Sequence, residues 1–66
     1  MIIRCKRIMV EMEPGLMANG CVFDLYPDLQ RQAIGGVLID EDADTQTWRL
    51  DNAVDVTGID GIEVVE

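Results

Sequence analysis

The densest set of possible metal ligands in the chain is acidic and lies in its second half. Carboxylates occupy Asp40, Asp42, Asp44 and Asp51, at positions 1, 3, 5 and 12 of a twelve-residue segment. Calcium takes about six to eight oxygen ligands at about 2.3–2.6 Å, and this spacing can bring such oxygens together. Residues 40–51 are therefore the first candidate for a metal site.

Over these residues the segment resembles the EF-hand calcium loop, but it departs from that loop where geometry is decisive. Thr45 stands where the loop needs Gly for its sharp turn, and Asp51 is one methylene shorter than the bidentate Glu. The flanking residues alternate as in strands rather than helices. We expect an acidic hairpin loop without metal, and calcium binding through residues 40–51 is kept as an alternative.

The composition excludes several classes of enzyme. The chain contains no His and no Ser, which removes Ser-His-Asp hydrolysis, Cys-His proteolysis and His-ligated zinc. Asp24, Asp51 and Asp55 fall within expected strands, but alternation places them on the polar faces, where carboxyl pKa values stay ordinary. In a chain of 66 residues we therefore expect no enzyme, no catalytic residue and no cofactor.

The two cysteines, Cys5 and Cys21, are expected to be free. A hairpin about residues 13–20 places Cys21 opposite Met12 and Cys5 near Asp28, whereas a disulfide needs Cα atoms within about 7 Å. We therefore expect two buried thiols in a reducing environment. No secretory leader is recognisable, and no run approaches the roughly 18 apolar residues of a membrane span. These features predict a cytoplasmic protein, or one within an assembled particle.

The pattern of apolar residues predicts a mainly β fold. Alternation at every second position predicts strands at residues 7–12, 21–26 and 46–57. The short apolar run 37–39 and residues 62–65, which follow a turn, are the other two expected strands. Pro27, Asp28 and Gly35 predict one short helix over residues 27–34. We expect a single domain, residues 1–66, built as a five-strand meander or curled barrel with at most this one helix.

Two details of strand register are also predicted. The apolar parity changes within the first strand, which predicts a bulge near Lys6 and Arg7 or a start at Arg7. The acidic hairpin places the large apolar side chains on both sides of its loop inward. Its expected pairs are Ile39 with Thr47 and Leu38 with Trp48.

Charge is distributed unevenly along the chain. The net charge is −8. Residues 40–66 alone carry −8, because they contain nine acidic residues and a single basic one, Arg49. Residues 1–10 contain Arg4, Lys6 and Arg7 and no acid. The molecule should therefore be electrostatically polar, with a basic first strand.

These features favour a non-enzymatic protein-interaction module, a component or assembly factor of a larger complex that binds another protein or its own copies. We expect residues 2–12 to form the contact surface, because no chain precedes this strand and its edge can accept another strand. Arg4 and Arg7 would steer an acidic partner, and Met9 and Met12 would be buried on association. By analogy alone, such small proteins are common among phage and mobile-element products.

An acidic inhibitor or DNA mimic is the alternative. Its acidic surface would occupy a basic groove of a nucleic-acid-binding protein through Asp40, Asp42, Asp44, Asp51 and Asp55. Direct binding of nucleic acid is not expected, because a net charge of −8 repels phosphate. Membrane binding is not expected either.

Overall fold

The chain folds as one antiparallel sheet with a short helical segment. A computed structural model describes all residues, 1–66. Its strands are β1 (Ile2–Glu13), β2 (Leu16–Cys21), β3 (Gly36–Glu41), β4 (Thr45–Leu50) and β5 (Ile62–Val64). A 3₁₀ helix (Val22–Leu25) and the helix α1 (Pro27–Ala33) connect β2 to β3. The sheet curls into a half-barrel, so the mainly β prediction with five strands and one short helix is confirmed.

β1 is the central strand of the sheet, whose order is β2-β1-β4-β3. Residues 2–6 pair with β4, residues 3–5 pair with β5 on the opposite edge, and residues 7–13 pair with β2. The expectation that the whole first strand has an unpaired edge is therefore wrong. Its length allows β1 to serve both the body of the sheet and a two-stranded ribbon with β2.

The predicted bulge near Lys6 and Arg7 is also wrong. β1 is continuous from Ile2, and the one shift in its pairing lies between Glu11 and Glu13. What changes between Lys6 and Arg7 is the pairing partner, from β4 to β2. That change explains why the apolar parity differs between the two halves of the strand.

A tight turn, not a loop over residues 13–20, joins β1 to β2. The turn consists of Pro14 and Gly15, and Gly15 has a φ of 84°, which glycine adopts without steric cost. Asn19 and Gly20 lie within β2 instead of in a loop. The shorter connection moves every register position of β2 and sets Cys21 opposite Arg7.

The predicted strand 21–26 is replaced by the 3₁₀ helix. The Asp24 carboxylate accepts a hydrogen bond from the backbone N–H of Cys21 at 2.8 Å. Such local side-chain bonds compete with pairing between strands. Cys21 and Phe23 are nevertheless both buried, so the apolar pattern was correct about burial and wrong about the backbone.

β4 ends at Leu50, well before the predicted end of the strand at residue 57. The backbone N–H of Leu50 donates to Met1 O at 2.8 Å, and the strand ends at this residue. Residues 51–61 are irregular. Val54 and Val56 still point inward and are buried, as their alternation predicts.

The core is small and lies on the concave face of the sheet. Its most buried aliphatic side chain is that of Ile3, which is 0% exposed, whereas Ile8 and Val10 are only half-buried. The inward parity of β1 is thus that of Ile3 and Cys5. The buried apolar residues are Ile3, Cys5, Cys21, Phe23, Ala33, Leu50, Val54 and Val56.

The hairpin of β3 and β4 has one pair as predicted and one shifted. Leu38 pairs with Trp48, but Asp40 pairs with Thr47 because Ile39 forms a bulge. Leu38 and Ile39 are both exposed, so the expectation that this hairpin turns its large apolar side chains inward is wrong for β3.

Candidate interaction surface

β3 is an edge strand with an apolar sequence and no cover. It lies at the end of the strand order, and all six of its residues are exposed. Three consecutive members, Val37, Leu38 and Ile39, are large and apolar. Exposed single apolar residues are common on proteins, but a contiguous apolar stretch on an open sheet edge marks a site of pairing or association.

The hydrogen bonds of β3 determine which backbone groups are free. Asp51 N donates to Gly35 O at 2.8 Å, so Gly35 faces β4. Hydrogen-bonded residues recur at every second position of an antiparallel pair. Val37 therefore also faces β4, and Gly36 and Leu38 turn their N–H and C=O groups toward the open edge.

A cleft opens on the concave face beside this edge. Its volume is about 180 Å³, and it lies between the helical segment and β4. A Cβ atom at Gly36 would lie 3.2 Å from Leu50 Cδ2 and 3.7 Å from Trp48 Cε3, so glycine at this position lets both side chains lie close against the backbone of β3. The lining residues are Cys21, Phe23, Asp24, Gln30, Ala33, Ile34, Gly35, Gly36, Trp48 and Leu50.

The residue between α1 and β3, Ile34, has a strained backbone. Its φ of 68° and ψ of −56°, with the 2.8 Å hydrogen bond from Gly35 N to Ala33 O, form the rare and strained type of γ-turn. Gly35 was expected to supply the special conformation that ends the helix, but Ile34 holds the positive φ, and α1 ends at Ala33. The Ile34 side chain is 77% exposed at the rim of the cleft. A positive φ in a β-branched residue is unfavourable, and such strain clusters at ligand sites.

A polar network fixes the inner wall of the cleft. Trp48 Nε1 donates to Gln46 Oε1 at 3.0 Å, and the buried Gln46 donates through Nε2 to Glu41 Oε2 at 2.7 Å. Arg7 Nε lies 3.8 Å from that carboxylate oxygen, and Asn19 Nδ2 donates to it at 3.3 Å. Because its indole N–H is satisfied internally, Trp48 presents its ring to the cleft as an apolar wall.

The acidic loop that follows β3 is stabilised by one of its own carboxylates. Asp42 Oδ1 accepts hydrogen bonds from the backbone N–H groups of Asp44 and Thr45, both at 2.8 Å. These bonds hold the pKa of Asp42 below its ordinary value. Asp40 and Asp44 lie exposed beside it, so the far end of the β3 edge is strongly negative.

The other carboxylates singled out in the sequence do not form a site with this loop. Asp55 lies in the irregular segment, where the Thr57 hydroxyl and backbone N–H hold its pKa below the ordinary value. Asp51 lies beside Gly35, at the other end of β3. No three Cys, Asp or Glu side chains of the structure are grouped so that they could hold a metal ion. The flanks of the acidic loop are β3 and β4, not helices.

The basic residues predicted to steer a partner are already paired within the fold. Arg4 Nη1 lies 3.1 Å from Glu63 Oε1. Arg7 donates to Asn19 Oδ1 at 3.2 Å and to the carbonyl oxygen of Asp42. Arg7 therefore ties the ribbon of β1 and β2 to the acidic loop, a contact the sequence did not indicate.

The predicted contact residues Met9 and Met12 lie on the outer part of the same ribbon. β4 begins opposite Lys6, so beyond Arg7 the strand β1 pairs with β2 alone. Four large apolar side chains there, at Met9, Met12, Leu16 and Met17, are each more than half exposed. We call them the ribbon surface. These side chains do not form one face, because Leu16 and Met17 are consecutive in β2 and point to opposite sides of the ribbon.

The two thiols are free, but the predicted separation between them is wrong. Cys5 and Cys21 are both buried, and their thiols lie close enough to affect each other's titration. The tight turn at Pro14 and Gly15 causes this contact, because it sets Cys21 near Cys5 rather than opposite Met12. The interaction with the Cys21 thiol, together with burial, raises the pKa of Cys5, whereas the interaction with the Cys5 thiol lowers the pKa of Cys21.

Comparison with known proteins yields no family for this chain. No protein-family model matches it, and neither a curated protein nor a solved structure is significantly similar to it. No helix of the structure has the length and apolar composition needed to cross a lipid bilayer.

Proposed function

We propose that this chain is a small non-enzymatic protein-interaction module, a component or assembly factor of a larger complex. The observation that carries the proposal is the edge strand β3, which is exposed along its whole length, apolar at three consecutive residues and bordered by a cleft. No strand of the chain pairs with the outer edge of β3. A binding partner would cover it.

The balance between buried and exposed apolar residues supports the proposal. Eight apolar residues form the core, whereas twelve large apolar residues are exposed. Chains of this size bury a smaller share of their surface than larger domains do, and many gain stability by association. A partner bound over β3 would bury apolar side chains in a strand whose six residues are all exposed in the isolated chain.

The chemistry available to the chain supports a binding role over a catalytic one. It lacks His and Ser, and its shifted carboxylates, Asp42 and Asp55, are fully solvated groups with lowered pKa values. A carboxyl group that acts as a general acid near neutral pH needs a raised pKa, which removal from water produces.

The proposal is tested by affinity capture from the cells that encode the chain, followed by mass spectrometry. Leu38 and Leu16 form a matched pair, because each is an exposed leucine, one on β3 and one on the ribbon surface. Leu38→Asp should abolish capture of the partner, and Leu16→Asp should leave it unchanged. The reverse result would move the interface to the ribbon surface, and capture unaffected by either variant would contradict the proposal.

Salt dependence separates this proposal from the acidic mimic. An apolar interface should persist as ionic strength rises, whereas a mimic that binds through Asp40 and Asp44 should lose its partner. The same capture is therefore repeated at high salt. The mimic would be favoured if all partners are lost at high salt and if the Leu38→Asp variant still captures its partner fully at low salt.

A further inference from the structure

From the geometry of the β3 edge we infer what the partner presents there: an extended segment of another protein that adds a strand to β3, places one apolar side chain in the cleft, and carries Lys or Arg beside the acidic loop. This inference rests on the proposed function and specifies its partner.

The backbone provides the first part of the inference. Gly36 and Leu38 direct their N–H and C=O groups to the open edge, as the bonding of Gly35 to Asp51 shows. Two residues with the same orientation lie about 6.6–6.8 Å apart along a strand, the repeat that an added strand needs. The bulge at Ile39 ends this regular stretch, so the added strand is short.

The cleft provides the second part. Gly36 and Leu38 lie on the same face as Leu50 and Trp48, the residues they pair with. A side chain of the added strand that points to this face meets the opening beside Gly36. The cleft measures about 180 Å³, and an apolar cavity of about 150 Å³ already holds a benzene molecule. One aliphatic or aromatic side chain therefore fits, with Ile34 at its rim.

Charge selects the partner. The end of β3 and the loop after it carry Asp40, Glu41, Asp42 and Asp44, and of these only Glu41 has a cationic side chain within salt-bridge distance, that of Arg7. A second copy of the chain would bring another net charge of −8 to the same edge. Acidic residues and bulges on edge strands are known barriers to self-pairing. A basic segment gains attraction at the place where a second copy is repelled.

The inference is tested by titrating the protein, labelled for NMR, with short synthetic peptides. The probe alternates valine and threonine and carries lysines at both ends. One matched peptide has glutamates at the ends, and another keeps the lysines but has a proline in the centre. The lysine-ended probe should shift the amide signals of Gly36 and Leu38 and the indole signal of Trp48, and the two matched peptides should not.

A backbone variant separates strand addition from simple charge attraction. Leu38→Pro removes an N–H group that faces the open edge, which an edge strand tolerates. It should weaken binding of the lysine-ended probe by about tenfold or more. Asp40→Asn should weaken binding at low salt, whereas Asp60→Asn, a matched change of an exposed acid elsewhere, should leave it unchanged.

Several results would overturn the inference. One is equal binding of the proline-containing peptide, which would mean that charge alone acts. Another is the absence of shifts at Gly36 and Leu38, and a third is a dimer of the free protein that Leu38→Pro dissolves. If any of these occurs while Leu38→Asp still abolishes partner capture, the proposed function stands and only the inferred partner is wrong.

Discussion

β1 and β3 are both apolar strands, yet the fold treats them in opposite ways. Ile3, in β1, is completely buried, because β4 and β5 pair with both edges of this part of the strand and the core covers one face. Ile39, in β3, is 45% exposed, because that strand has β4 on one side and nothing on the other. The same residue type is therefore buried in the core in one strand and exposed to solvent in the other.

The difference teaches that position in the sheet, not apolar sequence, decides what a strand contributes. The backbone N–H and C=O groups of a central strand are hydrogen-bonded to neighbouring strands of the same chain. An edge strand keeps unpaired backbone groups, which natural proteins guard with charge, as Asp40 and Glu41 do here. An exposed apolar stretch without charged residues on such an edge, like residues 37–39, is typical of a site where another chain binds.

The largest effect should come from shortening matched isoleucines in the two strands. Ile3→Ala should lower the free energy of unfolding by about 2–5 kcal/mol, because it leaves a cavity in the core. Ile39→Ala should lower it by less than about 1 kcal/mol. Urea unfolding measures both values. Equal losses would mean that β3 is part of the stabilising core, which would contradict the comparison.

The pH dependence of stability tests the shifted pKa values of the two buried thiols, Cys5 and Cys21. Both thiols of the unfolded chain lose their protons near pH 9.0, whereas the raised pKa keeps Cys5 protonated in the folded state. The folded state then binds more protons, so stability should fall above pH 9, by at most about 1.4 kcal/mol per pH unit. Below pH 9 the lowered pKa of Cys21 acts in the opposite direction.

Thermal unfolding between pH 7 and pH 11 measures this profile. The control is the double variant Cys5→Ala, Cys21→Ala, which should lack the fall that the thiol pair causes. An identical decline in the double variant would assign it to other groups.

At the rim of the cleft, relief of strain should raise stability. Ile34→Gly removes the unfavourable positive φ, but it also gives the unfolded chain more freedom. We therefore expect a net gain of at most about 1 kcal/mol. Ile34→Ala keeps the strain and should give no gain. Both variants should bind the partner more weakly, since each removes the exposed side chain. A loss of stability in Ile34→Gly would mean that Ile34 serves the fold rather than the partner.

The smallest effect concerns the acidic loop. Asp42→Ala should lower the urea midpoint more than Asp44→Ala does, because only Asp42 accepts the backbone hydrogen bonds of the turn. The lowered pKa of Asp42 means that this contribution is present above about pH 4 and is lost as the pH falls below it. Asp42→Asn keeps an acceptor oxygen and should retain most of the stability. Equal midpoints for the two alanine variants would contradict this role.

The sequence predicted the class of the fold because alternation reports burial. Within the predicted strand 46–57, the alternating residues Leu50, Val54 and Val56 are all buried, although only the first lies in a strand. The sequence misplaced the hairpin, because Asn19 and Gly20 suggested a longer loop than the turn at Pro14 and Gly15. That one error also separated the two cysteines.

The candidate site was harder to predict. The open edge of β3 depends on the order of strands, which residues far apart in the chain determine, and the cleft depends on how the helical segment crosses the sheet. The apolar stretch 37–39 was visible in the sequence, but its exposure was not. Nothing in the sequence indicated the strained backbone of Ile34, because the neighbouring Gly35 was the better candidate for a positive φ.

Amide hydrogen exchange, resolved by residue, tests most directly the claim that β3 is an edge kept open for a partner strand. In the free protein we predict rapid exchange at Gly36 and Leu38, whose N–H groups face outward, and protection at Val37, which faces β4. With the lysine-ended peptide bound, Gly36 and Leu38 should become protected. Protection of these two amides in the free protein, or new protection confined to the ribbon residues 9–17, would contradict the claim.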